Sequence, residues 1–362
     1  MRPIRIVPGE PAPVDALGSV LVRDISVDGE RWPKGKRLSA ADLARLVDGR
    51  AIDLGARGRS PGDPSLRDHR GIVALALDEG DIHEDEAALR LAGAVAGPGV
   101  ELRGPAESRV DLLARAPGVL HVRADRIDRI DRIDPLQVFT VYDGQTVAAG
   151  ELVASVKIGP HAVAGEILDR ALLAVRSGPA VVRVAPFLER KVAAVVREAV
   201  RPVARERFER GIEARVGSLG SILAGIFYAT DTAVLVGHLA RLTRGPGRVD
   251  LVLTAGAAST DPTDAFFVAI EGLGGRVIRH GVPAHPGSMV WLARIGSTDL
   301  LGLPTCGAYS RATAADLLLP RLLTGERASN RMAASLGHGG VLTRAMRFRF
   351  PPYARELDAP EG

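Results

Sequence analysis

Apolar residues change their spacing along the chain, and the changes divide it. From residue 186 onward, short aliphatic runs alternate with longer segments of helical period. Residues 192–196 form an unbroken valine–alanine run. Residues 249–253, 276–279, 290–293 and 300–303 read as further strands, and 219–227 contains another apolar run. Residues 204–216, 231–242, 264–273 and 313–323 carry the three-to-four spacing of helices. This alternation implies right-handed crossovers and a mainly parallel sheet covered on both faces. The expected fold class is therefore α/β, with a three-layer domain over residues 186–326.

Upstream, the pattern is less regular. Residues 18–23 read as a strand, 32–37 as a turn, and Ser39 as the N-cap of a helix over 40–46. Residues 55–70 are rich in Gly, Pro and Arg and read as a loop. A strand over 71–77 and an alanine-rich helix over 84–96, acidic at its start, follow. Residues 99–156 are strand-like and punctuated by glycine, with short strands at 138–141, 146–147 and 152–158, and 161–176 reads as one helix. Residues 1–176 thus form a mixed α+β, strand-rich region, with any subdomain break near 97–100, and 327–362 a C-terminal extension. Within it, DRIDRIDRID (125–134) has a period of three. Ile127, Ile130 and Ile133 make a slowly drifting stripe on a helix, and the interleaved arginines neutralise the aspartates as metal ligands.

Composition narrows the classes. The 362 residues are long for one core. The net charge is only +4, and the basic residues are almost all arginine, with Lys34, Lys36, Lys157 and Lys191 the exceptions. Aromatics are 4% and interleave with no dense basic run, so no nucleic-acid partner is expected. No apolar run is long enough for a membrane span, and the N-terminus lacks a signal-peptide core. Cys306 is the single cysteine. A cytoplasmic location is expected.

The candidate chemistry lies in three turns that each follow a strand of the second region. In the first, residues 250–264, an aliphatic strand runs into Gly256, Ala257 and Ala258, with hydroxyls on Thr254, Ser259 and Thr260. Such a turn lets backbone N–H groups approach an anion beside a helix N-terminus. The second holds His285, Pro286 and Gly287. The third runs from Gly302 through Pro304, Thr305, Cys306 and Gly307 to Ser310. Ligands of open α/β sheets bind at the carboxyl ends of strands, where all three turns would start. His285 is a candidate phosphate contact, and Cys306 a candidate sulfur contact or a tolerated thiol. No HExxH motif or Walker loop occurs.

The order D-x-x-[LIV]-[ST]-x-G-x-x-S-x-x-x-x-D, then G-V-x-x-x-P-G, then G-L-P, resembles the molybdopterin-binding domain shared by molybdopterin molybdotransferases, gephyrin and molybdopterin adenylyltransferases. The resemblance covers about residues 191–326, with weaker similarity over 18–164. It places Asp250 at the strand-leading aspartate and Thr254, Gly256 and Ser259 on the S/T-G-S positions. Asp264 falls on the helix-opening aspartate, Pro286 and Gly287 on P-G, and Gly302, Leu303 and Pro304 on G-L-P. It implies molybdopterin or molybdenum cofactor as ligand, with Mg²⁺ or another metal ion near Asp250 and Asp264. The chain departs from the pattern at Ala257, Asp261-Pro262, Ser288 and Thr305-Cys306-Gly307. Val196-Arg197-Glu198 stands where the family has T-G-D-E-L.

The resulting expectation is a molybdopterin-binding protein in cofactor biosynthesis, assembly or delivery. A molybdate-inserting enzyme and an interaction protein that keeps the fold without the ligand are the alternatives. The expected partners are a phosphorylated pterin and a molybdoenzyme or its maturation partners. No membrane is expected, and self-association is left open.

Overall fold

The computed structural model describes residues 1–48, 52–53, 71–197, 202–257, 259–304 and 312–355. The fold is mixed α/β. The chain forms two compact units that interleave in sequence. One comprises Met1–Leu113, Arg123–Val141 and Leu152–Arg183; the other comprises Ala114–Val122, Tyr142–Glu151 and Val184–Gly362.

The second unit contains a six-stranded sheet: β1 (Lys191–Val196), β2 (Ile222–Tyr228), β3 (Leu251–Ala255), β4 (Arg276–His280), β5 (Trp291–Ile295) and β6 (Thr298–Gly302). Their order across the sheet is β2-β1-β3-β6-β5-β4. β2, β1, β3 and β6 pair in parallel. β6–β5 and β5–β4 are antiparallel. The change of direction comes from a tight hairpin through Gly296 (φ 55°) and Ser297, since glycine accepts the positive φ that short hairpins need. The apolar pattern of 290–303 reads as two strands but does not reveal that a two-residue turn joins them.

β1 explains its own composition. Val192, Ala194 and Val196 enter one core, and Ala193 and Val195 enter another. A strand buried on both faces has no polar side, hence the unbroken run. Helix α1 (Pro202–Gly217) supplies Phe208, Ile212 and Val216 to the first core, one residue per turn. So does helix α4 (Ala314–Leu323), every residue of which is buried. Helices α2 (Thr232–Thr243) and α3 (Ala265–Gly272) supply Leu235, Leu239, Phe266 and Ile270 to the second.

The first core contains an ionic cluster. Arg215 Nε donates to Asp316 Oδ1 (2.9 Å), and the Asp316 carboxylate also closes the capping box of α4 by accepting from Thr313 N–H (2.9 Å). Burial, reinforced by Asp316, pushes the Tyr353 phenol well above its usual range. Burial and a hydrogen bond to Glu209 (2.9 Å) push Tyr228 to about 12. Both folded phenols hold their proton more tightly than the unfolded chain does. Their stabilisation is therefore complete below pH ~10 and is lost as pH rises above it, for Tyr228 through about 12. Denaturation midpoints measured from pH ~9 to ~12 should fall, and fall less in the Tyr228→Phe, Tyr353→Phe double variant. An equal fall in both proteins would remove these groups as the cause.

The first unit is strand-rich. A three-stranded antiparallel sheet sets Ile72–Ala76 between Arg2–Ile6 and Val20–Leu21. A second three-stranded sheet packs Trp32 and Val27 into a core with Leu38 and Leu46. The helix over Ala40–Val47 begins at Ser39, whose side chain accepts from Asp42 N–H in a capping box. A four-stranded sheet follows, ordered Leu136–Thr140, Leu152–Ile158, Arg109–Ala114, Val100–Ala106. The aspartate–arginine repeat forms a helix over Ala124–Asp131 with Ile130 fully buried, while Ile127 and Ile133 are half-buried. Residues 161–176 differ from expectation. Ala162–Ala164 is a strand paired with Asp81–His83, and the helix starts only at Gly165. Among the described residues no helix is long and apolar enough to cross a membrane.

Candidate functional site at the carboxyl edge of the sheet

β3 ends at Thr254 and Ala255, and the chain turns at Gly256, which has φ 87°. An L side chain is disfavoured there. β1 ends beside it: Arg197 N–H donates to Ala255 O (3.0 Å), which fixes the start of the Arg197 side chain next to the turn. Asp264 then opens α3. Its Oδ1 accepts from Phe266 N–H (2.9 Å) and its Oδ2 from Arg197 Nη1 (3.0 Å). The Asp264 side chain is 4% exposed and that of Arg197 34%. A buried carboxylate thus anchors a guanidinium at the sheet edge and leaves part of its fork reachable from solvent. An oriented guanidinium beside a left-handed turn suits a phosphate or carboxylate group.

The sheet register places His280, Trp291, Gly302, Thr254, Val195 and Phe227 opposite one another in successive pairs along this edge. Thr254 Oγ1 and Trp291 Nε1 are buried with no hydrogen-bond partner among the described residues. Leaving such a group unpaired costs roughly 1–3 kcal/mol, so two in one row call for an explanation. Only Gly302 stands between them. A Cβ there would overlap the Trp291 indole, so the absent side chain lets the ring lie across β6. Phe267 packs edge-on against Trp291 (centroids 5.2 Å apart) and His280 (4.6 Å).

The three motif turns start at this same edge. β4 is antiparallel to β5, which is antiparallel to β6, so β4 runs with β3 and its chain leaves at Gly281. Leu303 N–H donates to Thr254 O (2.8 Å), which joins the start of the third turn to the end of β3, and Pro304 is buried behind it. Ala257 and Ser259 are half-buried in the first turn. Thr305, Cys306, Gly307 and Ser310 lie outside the described residues, as does Ala258.

Other predicted residues are held by structural contacts. Asp250 precedes β3 and so sits at the amino end of the strand. Its Oδ2 accepts from Lys191 N–H (2.9 Å), and Arg190 Nη1 is 3.6 Å from Oδ1. A five-residue strand lies between Asp250 and the Gly256 turn, about 16 Å at ~3.3 Å per residue, so Asp250 and Asp264 do not converge. Exposed His285 ties into the C-terminal segment through its backbone, donating to Gly340 O (2.8 Å) and accepting from Leu342 N–H (2.8 Å). Pro286 O accepts from Ala314 N–H (2.9 Å). Gly287 has φ 103°, and a Cβ on it would stand 2.6 Å from Ala314 N, so the P-G pair seats the start of α4.

Magnesium does not fit these residues. It needs near-octahedral oxygen ligands, whereas both oxygens of Asp264 are engaged and Asp250 is at the other end of the strand. Among the described residues, no group of three or more His, Cys, Asp or Glu could hold a metal ion.

Arg197 is the site residue that sequence reasoning missed, noting it only as a departure from an acidic motif. The signal was present: an apolar run buried on both faces stops at Val196, so the next residue must emerge at the strand's carboxyl end.

No known family profile matches the chain, and no curated protein is similar to it. Among solved structures, one described as the crystal structure of the molybdopterin biosynthesis MoeA protein from Pyrococcus horikosii is 16% identical, covering 68% of this chain and 80% of that one, with a TM-score of 0.29. A likeness at that TM-score carries no weight for this chain's function.

Proposed function

We propose that this edge binds the anionic end of a phosphorylated pterin, molybdopterin or a close relative. On this reading residues 186–326 are a three-layer, mainly parallel domain of the molybdopterin-binding type. The chain serves cofactor assembly or delivery in the cytoplasm as a binding protein rather than as a molybdate-inserting enzyme. The observation that carries the reading is the Arg197–Asp264 pair set beside the left-handed turn at Gly256. The motif resemblance supplies the ligand class. Insertion would need carboxylates gathered around a cation, and Asp250 and Asp264 stand apart, which favours binding over turnover.

The test is a fluorescence titration with 6-hydroxymethylpterin phosphate, a stable phosphorylated pterin. The wild type should bind it, and Gly256→Val should bind about tenfold more weakly or worse. A β-branched residue at positive φ costs about 1–2 kcal/mol and obstructs backbone approach. Equal affinity in the folded variant would remove Gly256 from the site. No binding to wild type would remove the pterin reading.

A further inference from the structure

Among the described residues, three acidic side chains that leave this edge make hydrogen bonds within the protein. Asp264 accepts from Phe266 N–H with one oxygen and from Arg197 with the other. Asp231, which follows β2, caps α2 by accepting from Val234 N–H (2.9 Å). Asp261 accepts from Thr263 N–H (2.8 Å) and from the Thr263 hydroxyl (2.6 Å). A divalent cation at Asp264 would have to compete with a guanidinium for a buried carboxylate, and one at Asp231 with a helix cap. The basic group, by contrast, is placed to act. Arg197 is anchored through Nη1 and one-third exposed, and Thr254, buried at the adjacent strand end, has an unpartnered hydroxyl.

We propose that the edge recognises its anion directly, through Arg197 and the N–H groups of the turn at Gly256, with no bridging divalent cation. Asp264 acts as a positioning residue that holds the fork in place. The ligand class is a phosphate monoester or free phosphate taken without magnesium. This rests on the same site as the pterin reading but not on the pterin, because phosphate alone tests it.

The experiment follows the ³¹P line width of inorganic phosphate titrated with the full chain, once in EDTA and once in MgCl₂. Wild type should bind equally in both. Arg197→Gln should bind about tenfold to hundredfold more weakly in both, the range expected for losing one charge-assisted contact. Arg197→Lys should fall between, because it keeps the charge and loses the fork. Circular dichroism establishes that each variant is folded. Binding that needs MgCl₂, an unchanged Arg197→Gln, or no phosphate binding by wild type would each overturn the proposal. Phosphate binding without binding of the pterin phosphate would sustain it while removing the pterin reading.

Discussion

Replacing Asp316 with alanine should cost the second unit about 3–5 kcal/mol, the range for removing one partner of a buried ion pair. The Arg215 side chain is 5% exposed and that of Asp316 1%, so water cannot take the carboxylate's place. The same carboxylate accepts from Thr313 N–H at the start of α4, so the variant loses a helix cap as well, worth about 1 kcal/mol. Because α4 is buried along its whole length, the helix cannot turn away to hydrate the loss. Denaturant midpoints, with the slope checked for constancy, give the measurement. Replacing both partners by apolar residues, Arg215→Met with Asp316→Leu, should recover much of the loss, since the cost comes mainly from stranding one charge. A loss below about 1 kcal/mol for Asp316→Ala would show that the pair is not buried as described.

Gly302→Ala should be the next most damaging change, at the upper end of the about 1–3 kcal/mol typical of overpacking. The added methyl would enter the space of the Trp291 indole, which is fully buried against Phe266 and Phe267. β6 is hydrogen-bonded to β3 on one side and β5 on the other, so the backbone has no free direction to move. The indole must shift instead, and with it the row that includes Thr254. A second substitution, Trp291→Leu, should recover part of the stability by making room. Thermal unfolding of the single and double variants checks both statements. Independent, additive losses would show that the two positions do not meet.

Much of the second unit was legible because its signals are local. A helical period with Asp231, Asp264 or Thr313 before it is enough to start a helix, and each of these side chains accepts from the first turn in the structure. The β1 run could be read as a strand buried on both faces from composition alone. The aspartate–arginine repeat was legible for the same reason, its isoleucine stripe finding a core through Ile130.

Where partners are distant in sequence, the local signal ran out. Residues 161–164 have no strong preference, and the strand at Asp81–His83 recruits them by pairing. The site depends on similar non-local facts. A strand read over residues 249–253 runs in the structure over Leu251–Ala255, which leaves Asp250 at the amino end. Spacing gives a residue's distance along the chain, not the end of the sheet at which it emerges. The sequence by itself determined the elements, their caps and the turns that follow the strands, because these depend on backbone hydrogen bonds and side-chain period within a few residues. Only the tertiary structure decided that Arg197 meets Asp264, that Asp250 does not, and that Trp291 lies over Gly302 beside Thr254. Those meetings are set by parallel register across strands far apart in the chain, and no local preference encodes that register.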